Sequence, residues 1–438
     1  MWQWFDDRAA EVERQTPDER IRYADFLRVL AIGLVVLGHW LAPHISLVND
    51  VFRVRLVHAA VEDAQWLTWL FQIMPVFFFV GGLANAIGWA SATERGESYV
   101  DWLRKRARRL LRPLIPLLVV WVPLALVLDT AGVPTYLVTR ASHAVVFPVW
   151  FLAAYLCVVA LSPAAYWLHR RIGAAALLGL MALAVAADVL TRLGVDWVVW
   201  LNFIFVWGAI HQAGFFWYDR RFPRRAMWGV VLAIAALALL WVLTHVLNYP
   251  LSMVGTGFER HPNDLPPSVA LVVLASAQIG IFLALRKPVN RWLKKPRVWT
   301  VVTLLGQRIM TIYLWHMTAL VVVALLVYPT GLWPDIEQVD RSWWLWRIPW
   351  VLLLAAVLVA LVASFGRFEA RLAWSPTSHR GWLVAIKALV AVVLTALGIA
   401  MVMVDGLYHG GGLAGVSWVP IGVLALGLWG LGVATRSP

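Results

Sequence analysis

The sequence predicts an all-α membrane protein, a polytopic transmembrane helical bundle of about twelve spans. Composition is the first reason: 61% of the 438 residues are hydrophobic and 14% charged, against roughly 25% charged in a typical soluble domain. The second is that apolar runs of 18 or more residues recur from Arg22 almost to the C-terminus, each long enough to cross a hydrocarbon core of about 30 Å. The third is the placement of basic residues, which alternates from one connection to the next.

Residues 1–21 are charged throughout and lack the apolar stretch of a signal peptide, so they read as a cytosolic segment with a short interfacial helix. The twelve spans then fall at 23–45, 66–90, 110–130, 148–169, 172–190, 197–217, 227–247, 268–286, 300–327, 344–364, 381–404 and 413–433. With the N-terminus inside, the cytosolic connections carry 22 Lys and Arg residues and the outer ones 7. That asymmetry predicts an N-in, C-in topology. The net charge of +13 is thereby explained by topology, with no call for nucleic acid. The 28 tryptophans, several near run ends (Trp40, Trp66, Trp102, Trp197, Trp299, Trp343, Trp344), suit aromatic belts at the headgroup level. Cys157 is the single cysteine, which excludes an intramolecular disulfide. The longest outer connections, 46–65, 248–267 and 328–343, are too short for separate domains, so any chemistry belongs to the membrane bundle.

Ionisable side chains within spans are costly and mark function by default. The first span places Asp25, Arg28 and His39 together in DFLRVLAIGLVVLGHW. Eleven helical steps from Arg28 to His39 return to within about 20° and advance about 16 Å. Fourteen steps from Asp25 leave about 40°, so all three share a face. The plainer alternative is an i,i+3 ion pair of Asp25 with Arg28 and a structural His39. His316 lies in the ninth span, about 25 Å from its inner end near Trp299, at a depth similar to that of His39 and beside Gln307, Arg308 and Tyr313. Lining one cavity with His39 and bonding across a helix interface are both open to it.

The run YVDWLRKRARRLLRPLIP is the strongest basic cluster. Anchoring explains part of it; Lys105, Arg106 and Arg109 also suit the phosphates of a cytosolic ligand, because guanidinium forks match phosphate oxygens. Gln72, Asn85, Asn202, His211 and Gln212 are weaker intramembrane candidates, and Gly81 and Gly82 read as helix-packing residues. The outer loop GTGFERHPNDLPPS offers Glu259, His261, Asn263 and Asp264, with Asn263 the candidate acceptor contact. Phosphate-binding loops, dinucleotide fingerprints and metal-spaced Cys/His clusters are missing from the sequence, so no metal is expected.

These blocks in this order resemble acyltransferase family 3, the bacterial multi-spanning membrane O-acyltransferases. RYADFLRVLAIGLVVLGHW looks like the family's first helix, with an arginine, ten residues and a histidine, here Arg28 and His39. IMPVFFFVGG resembles its second-helix signature, with glycine where the family often has serine. KRARRLLRP resembles its arginine, two residues, arginine motif, here Arg106 and Arg109; VWFLAAYL and YLWH match two later blocks. The resemblance covers roughly residues 20–365 and divides the chain into the N-terminal segment 1–21, a ten-span core at 22–365, and two additional C-terminal helices within 366–438.

The resemblance implies transfer of an acyl group, most simply acetyl from acetyl-CoA, to a hydroxyl of an extracytoplasmic glycan or glycolipid. It places the protein in the bacterial plasma (inner) membrane, with the bilayer, acyl-CoA and the acceptor as partners. His39 would be the general base, Arg28 and Asp25 its catalytic companions, Arg106, Arg109 and Lys105 the acyl-CoA contacts, and His316, Tyr313 and Asn263 the acceptor contacts. The rival reading is a transporter or flippase for a lipid-linked or anionic solute; the paired half-chain repeats usual there are not visible.

Overall fold

The computed structural model describes residues 2–49, 51–223, 225–334, 336, 338–369 and 381–433. Arg224, Arg371 and Arg380, which contribute to the basic asymmetry, lie outside the described residues, as does part of the C-terminal segment 366–438.

The helices run α1 (Trp2–Arg14), α2 (Arg22–Leu41), the single turns α3 (Val57–Ala60) and α4 (Thr68–Phe71), α5 (Met74–Glu94), α6 (Tyr99–Leu111), α7 (Leu114–Thr130), α8 (Thr135–Val146) and α9 (Trp150–Ile172). They continue with α10 (Ala174–Arg192), α11 (Asn202–Tyr218), α12 (Ala226–His245), α13 (Val269–Trp292), α14 (Pro296–Gln307), α15 (Ile309–Val327), α16 (Arg341–Phe365), α17 (Trp382–Asp405) and α18 (Trp418–Gly430). One two-stranded hairpin, β1 (Pro43–Val48) and β2 (Val51–Leu56), follows α2.

Among the described residues ten stretches are long and apolar enough to cross a membrane, eleven if the bent pair α6 and α7 is one span. The chain is therefore a multi-pass membrane protein. Its outward faces carry Val119, Ile234, Leu352 and Val393, 61–66% exposed, as lipid contact requires. Three sequence expectations change. The third span is a pair of helices meeting at 42°, because Pro113 supplies no amide hydrogen to continue the ladder. The ninth breaks at Arg308, which is not helical, so α14 and α15 are separate and His316 is eight residues into α15. The twelfth, α18, has 13 residues and rises only about 20 Å, too short to cross by itself.

The chain clusters into two units interleaved in sequence: residues 1–38, 56–87 and 164–309 form the first, and residues 39–55, 88–163 and 310–438 the second. In the first, α5 meets α11 at Gly82 and Gly214, where a Cβ on Gly82 would fall 2.0 Å from the His211 carbonyl oxygen. Only glycine permits that approach, as expected for Gly82. Asn85 and His211 bond at 3.0 Å in the same helix pair. Asp188 of α10 accepts from Asn202 Nδ2 (2.7 Å), the Tyr249 hydroxyl (2.9 Å) and the Val269 amide (2.9 Å), tying the loop before α13 to two helices. The helix α1 lies on α14, with Asp6 accepting from Arg297 at 2.8 and 2.9 Å.

In the same loop Asp264 accepts from the Gly255 amide at 3.0 Å. Burial raises Asp264 to about 6, and the Glu259 charge adds to the rise. A carboxyl raised in the fold contributes stability that is complete below its unfolded value of 3.8 and lost as pH climbs through about 6. Proteolysis within residues 250–268 should accelerate roughly tenfold between pH 5 and 8, and Asp264→Asn should flatten that rise; an equally steep variant would exclude Asp264 as the cause.

In the second unit, α17 and α18 cross closely at Gly398 and Gly427, where Cβ atoms would meet Leu424 and Thr395 backbone at 2.4–2.5 Å. The pair is fastened to α7 and α8: Tyr408 donates to Asp129 Oδ2 at 2.5 Å, and His143 Nε2 donates to the Met403 carbonyl at 2.7 Å. The aromatic-belt reading also divides. Trp66, Trp197 and Trp344 are 39–68% exposed, whereas Trp40, Trp102, Trp299 and Trp343 are buried core residues.

Candidate active site

The site is built where α2 ends against α15, both parts belonging to the second unit. His39 is half-buried and His316 fully buried. His39 Nδ1 lies 2.8 Å from His316 Nε2, with the two rings within 12° of parallel. The neighbouring Trp40 indole donates to the His316 carbonyl at 3.0 Å, so two successive residues of α2 grip one residue of α15.

A third contact orders the protons. His316 Nδ1 bonds the Tyr313 carbonyl of its own helix, and a carbonyl only accepts, so Nδ1 carries the hydrogen. A neutral His316 then presents a lone pair at Nε2, and His39 must donate to it from Nδ1. His39 is left with its lone pair on Nε2, the nitrogen free to take a proton from a hydroxyl. One backbone carbonyl thus sets the tautomer of two imidazoles in series.

The frame around the pair is fixed by groups from four elements. Tyr313 donates its hydroxyl to the Pro148 carbonyl and stands edge-on to Phe151 at 5.6 Å. Trp121 of α7 donates to Thr318 Oγ1 at 3.0 Å. Glu369 caps the start of α15, accepting from the Met310 and Thr311 amides at 3.0 and 2.9 Å and from the Thr311 hydroxyl at 2.7 Å. A carboxylate at that end meets the positive pole of the helix.

The basic cluster lies on α6, whose start is capped by Ser98 accepting from the Asp101 amide at 3.1 Å. Arg106 is half-buried, with its guanidinium 5.6 Å from the Trp102 ring centroid, and Arg109 is exposed. The Arg106 head runs across Gly88 of α5, where an added Cβ would fall 1.7 Å from its Nη2.

A family model described as an acyltransferase domain matches residues 21–368. The chain belongs to acyltransferase family 3. No curated protein and no solved structure matches this acyltransferase.

Other expected residues of the acyltransferase take different places. Arg28 lies in the first unit, its guanidinium 5.8 Å from the Phe77 ring centroid. Asp25 pairs with Arg20 at 2.7 Å, not with Arg28 at i,i+3; Arg20 stands nearer the carboxylate than the next turn of α2 does. Lys105 reaches back to Glu97 at 2.7 Å. Tyr313 and Asn263 are held by bonds within the chain. The Tyr313 hydroxyl is committed to Pro148, and the Asn263 amide donates to the Pro250 and Ser252 carbonyls (2.7 and 2.9 Å) and accepts from Ser268 (2.7 Å). Both side chains are buried and hydrogen-bonded within the chain. Sequence reasoning missed Asp188 and Glu369. Asp188 had a visible signal, one carboxylate inside an alanine-rich apolar run; Glu369 had none. Among the described residues no cluster of His, Cys, Asp and Glu suits a metal.

Proposed function

We propose that this acyltransferase transfers an acyl group, acetyl being the simplest, from acyl-CoA to a hydroxyl of a cell-envelope glycan or glycolipid at the bacterial inner membrane. The observation that carries the reading is the His39–His316 pair, which leaves His39 Nε2 as an unprotonated base within a chain of an acyltransferase family. A hydroxyl is a poor nucleophile at neutral pH and needs such a base within hydrogen-bond reach.

The step balances without a metal or redox partner. The acceptor oxygen attacks the thioester carbonyl and its proton passes to His39 Nε2. His39 becomes an imidazolium that still donates from Nδ1 to His316. The C–S bond breaks, the ester C–O bond remains, and His39 returns the proton to the thiolate, releasing free CoA thiol. Arg106 and Arg109 hold the donor's phosphates, and Asp25 anchors the start of α2. The basic asymmetry of the sequence supports N-in, C-in topology, with the donor cytosolic and the acceptor outside.

Purified protein supplied with acetyl-CoA and an envelope extract should release CoA thiol and label the extract; thioester left intact by active-site-competent, folded protein would end the proposal. Gly88→Ala refines the test. Alanine favours the helix by about 1 kcal/mol over glycine, so the fold should hold while the Arg106 head is displaced. The KM for acetyl-CoA should rise about tenfold or more, as loss of one charge-assisted contact implies; an unchanged KM would remove Arg106 from donor binding.

A further inference from the structure

The second unit holds a buried cation that the proposed chemistry does not use. Arg347 of α16 is 5% exposed, and among the described residues no carboxylate pairs with it. Its guanidinium lies 3.9 Å from the Trp343 ring centroid and 5.7 Å from that of Trp350, and one of its hydrogens goes to the Tyr328 hydroxyl. Trp343 and Trp350 stand four residues before and three after Arg347, which puts all three on one face of the helix.

Among the described residues, three N–H donors on that face have no acceptor: Arg347 Nη1, Trp343 Nε1 and Trp350 Nε1. The two indoles are 2% and 0% exposed, so water does not serve them from the surface. A guanidinium keeps its charge at any physiological pH, and burying an ion without a counter-charge is costly. Stacking on two tryptophans recovers part of that cost and does nothing for the hydrogens in the guanidinium plane. A surplus of donors around one cation, with the Tyr328 hydroxyl the acceptor for one of them, is the complement of an oxyanion.

Trp333 and Tyr328 both pack on Trp350, at 5.1 and 5.9 Å between ring centroids, so the first residues of the connection from α15 to α16 lie against the cluster. His44, three residues beyond the end of α2, stands 5.9 Å from Trp343 and bonds the Ile336 carbonyl at 2.6 Å. Along α15, Tyr328 is twelve residues past His316, about 18 Å. The cluster is therefore a separate place from the histidine pair.

We infer that Arg347, Trp343 and Trp350 form an oxyanion site that holds a phosphate or carboxylate group. A soluble ligand and a lipid headgroup both carry that chemistry, and the inference stands apart from the acyl-transfer reading. The test uses full-length protein in neutral detergent, with melting followed as inorganic phosphate is titrated at constant ionic strength. A parallel set uses phosphatidylcholine vesicles with and without phosphatidylglycerol.

Wild-type protein should gain roughly 2 °C or more in a saturable way. Arg347→Met should melt no lower than wild type without phosphate, since a buried unpaired charge is gone, and should lose the saturable gain. The general stabilisation by phosphate as an excluded salt is common to both proteins. Arg347→Lys, a point charge without the fork, should keep a smaller gain and serves if the methionine variant does not fold. A response to phosphate makes the ligand soluble, and a response only to phosphatidylglycerol makes it a headgroup. Wild-type protein indifferent to both, or equal gains in wild type and the variants, would overturn the site.

Discussion

Replacing His39 with Ala should lower acyl transfer by about 10²–10⁴-fold, the usual contribution of a positioned base, at unchanged protein level in the membrane. The reason is stereochemical as much as acid–base. His39 is the less buried member of the pair, and its Nε2 is the one imidazole nitrogen not already bonded in that arrangement. His39→Gln should fail equally, because an amide retains the bond to His316 but has no lone pair basic enough to take the hydroxyl proton. Binding of acetyl-CoA should survive in both variants. Retained turnover in His39→Ala would remove the histidine from the chemistry and leave the pair as a helix clasp.

His316 offers the second large effect, and a different signature. It is fully buried and touches the reaction only through His39, so it is a positioning residue. His316→Phe fills the space but removes the acceptor at Nε2, freeing His39 to choose its tautomer. Turnover should drop about 10–100-fold, the cost seen when the group orienting a functional histidine is lost. KM for acetyl-CoA should stay within about twofold if only positioning is lost. His316→Gln keeps a carbonyl oxygen that accepts from His39 Nδ1 and should recover part of the loss. A purely structural His316 would show the two variants falling together, with protein level and KM moving alongside kcat.

The span pattern was legible in the sequence because lipid enforces it: an apolar run must be long, and its ends must be marked by charge. What defeated the reading was local. Pro113 bends the third span and Arg308 interrupts the ninth, and a hydropathy run records neither event. The same limit applied at the site. His39 and Arg28 announced themselves as polar residues in an apolar helix, and His316 did the same. Their pairing could not be read, since 277 residues separate the two histidines and periodicity speaks only within one helix. Tyr313 and Asn263 stand out in the sequence as polar groups, and in the structure each is bonded within the chain. A buried polar atom needs a partner, and the sequence does not say whether that partner is a substrate or a backbone carbonyl.

Glu369 lies one residue past the end of the matched segment 21–368, yet its carboxylate closes the start of the helix that carries His316. The next apolar helices, α17 and α18, pack on the unit that contains the histidine pair and Arg106. The portable module of this protein is therefore larger than the segment by which its family is recognised. A chimera spliced at the family boundary would inherit the imidazoles and lose the clamp on the helix that aligns them. Grafts, truncations and fusions of this chain need their junction beyond Glu369 at the least, and beyond the C-terminal helix pair if α7 and α8 are to keep their partners.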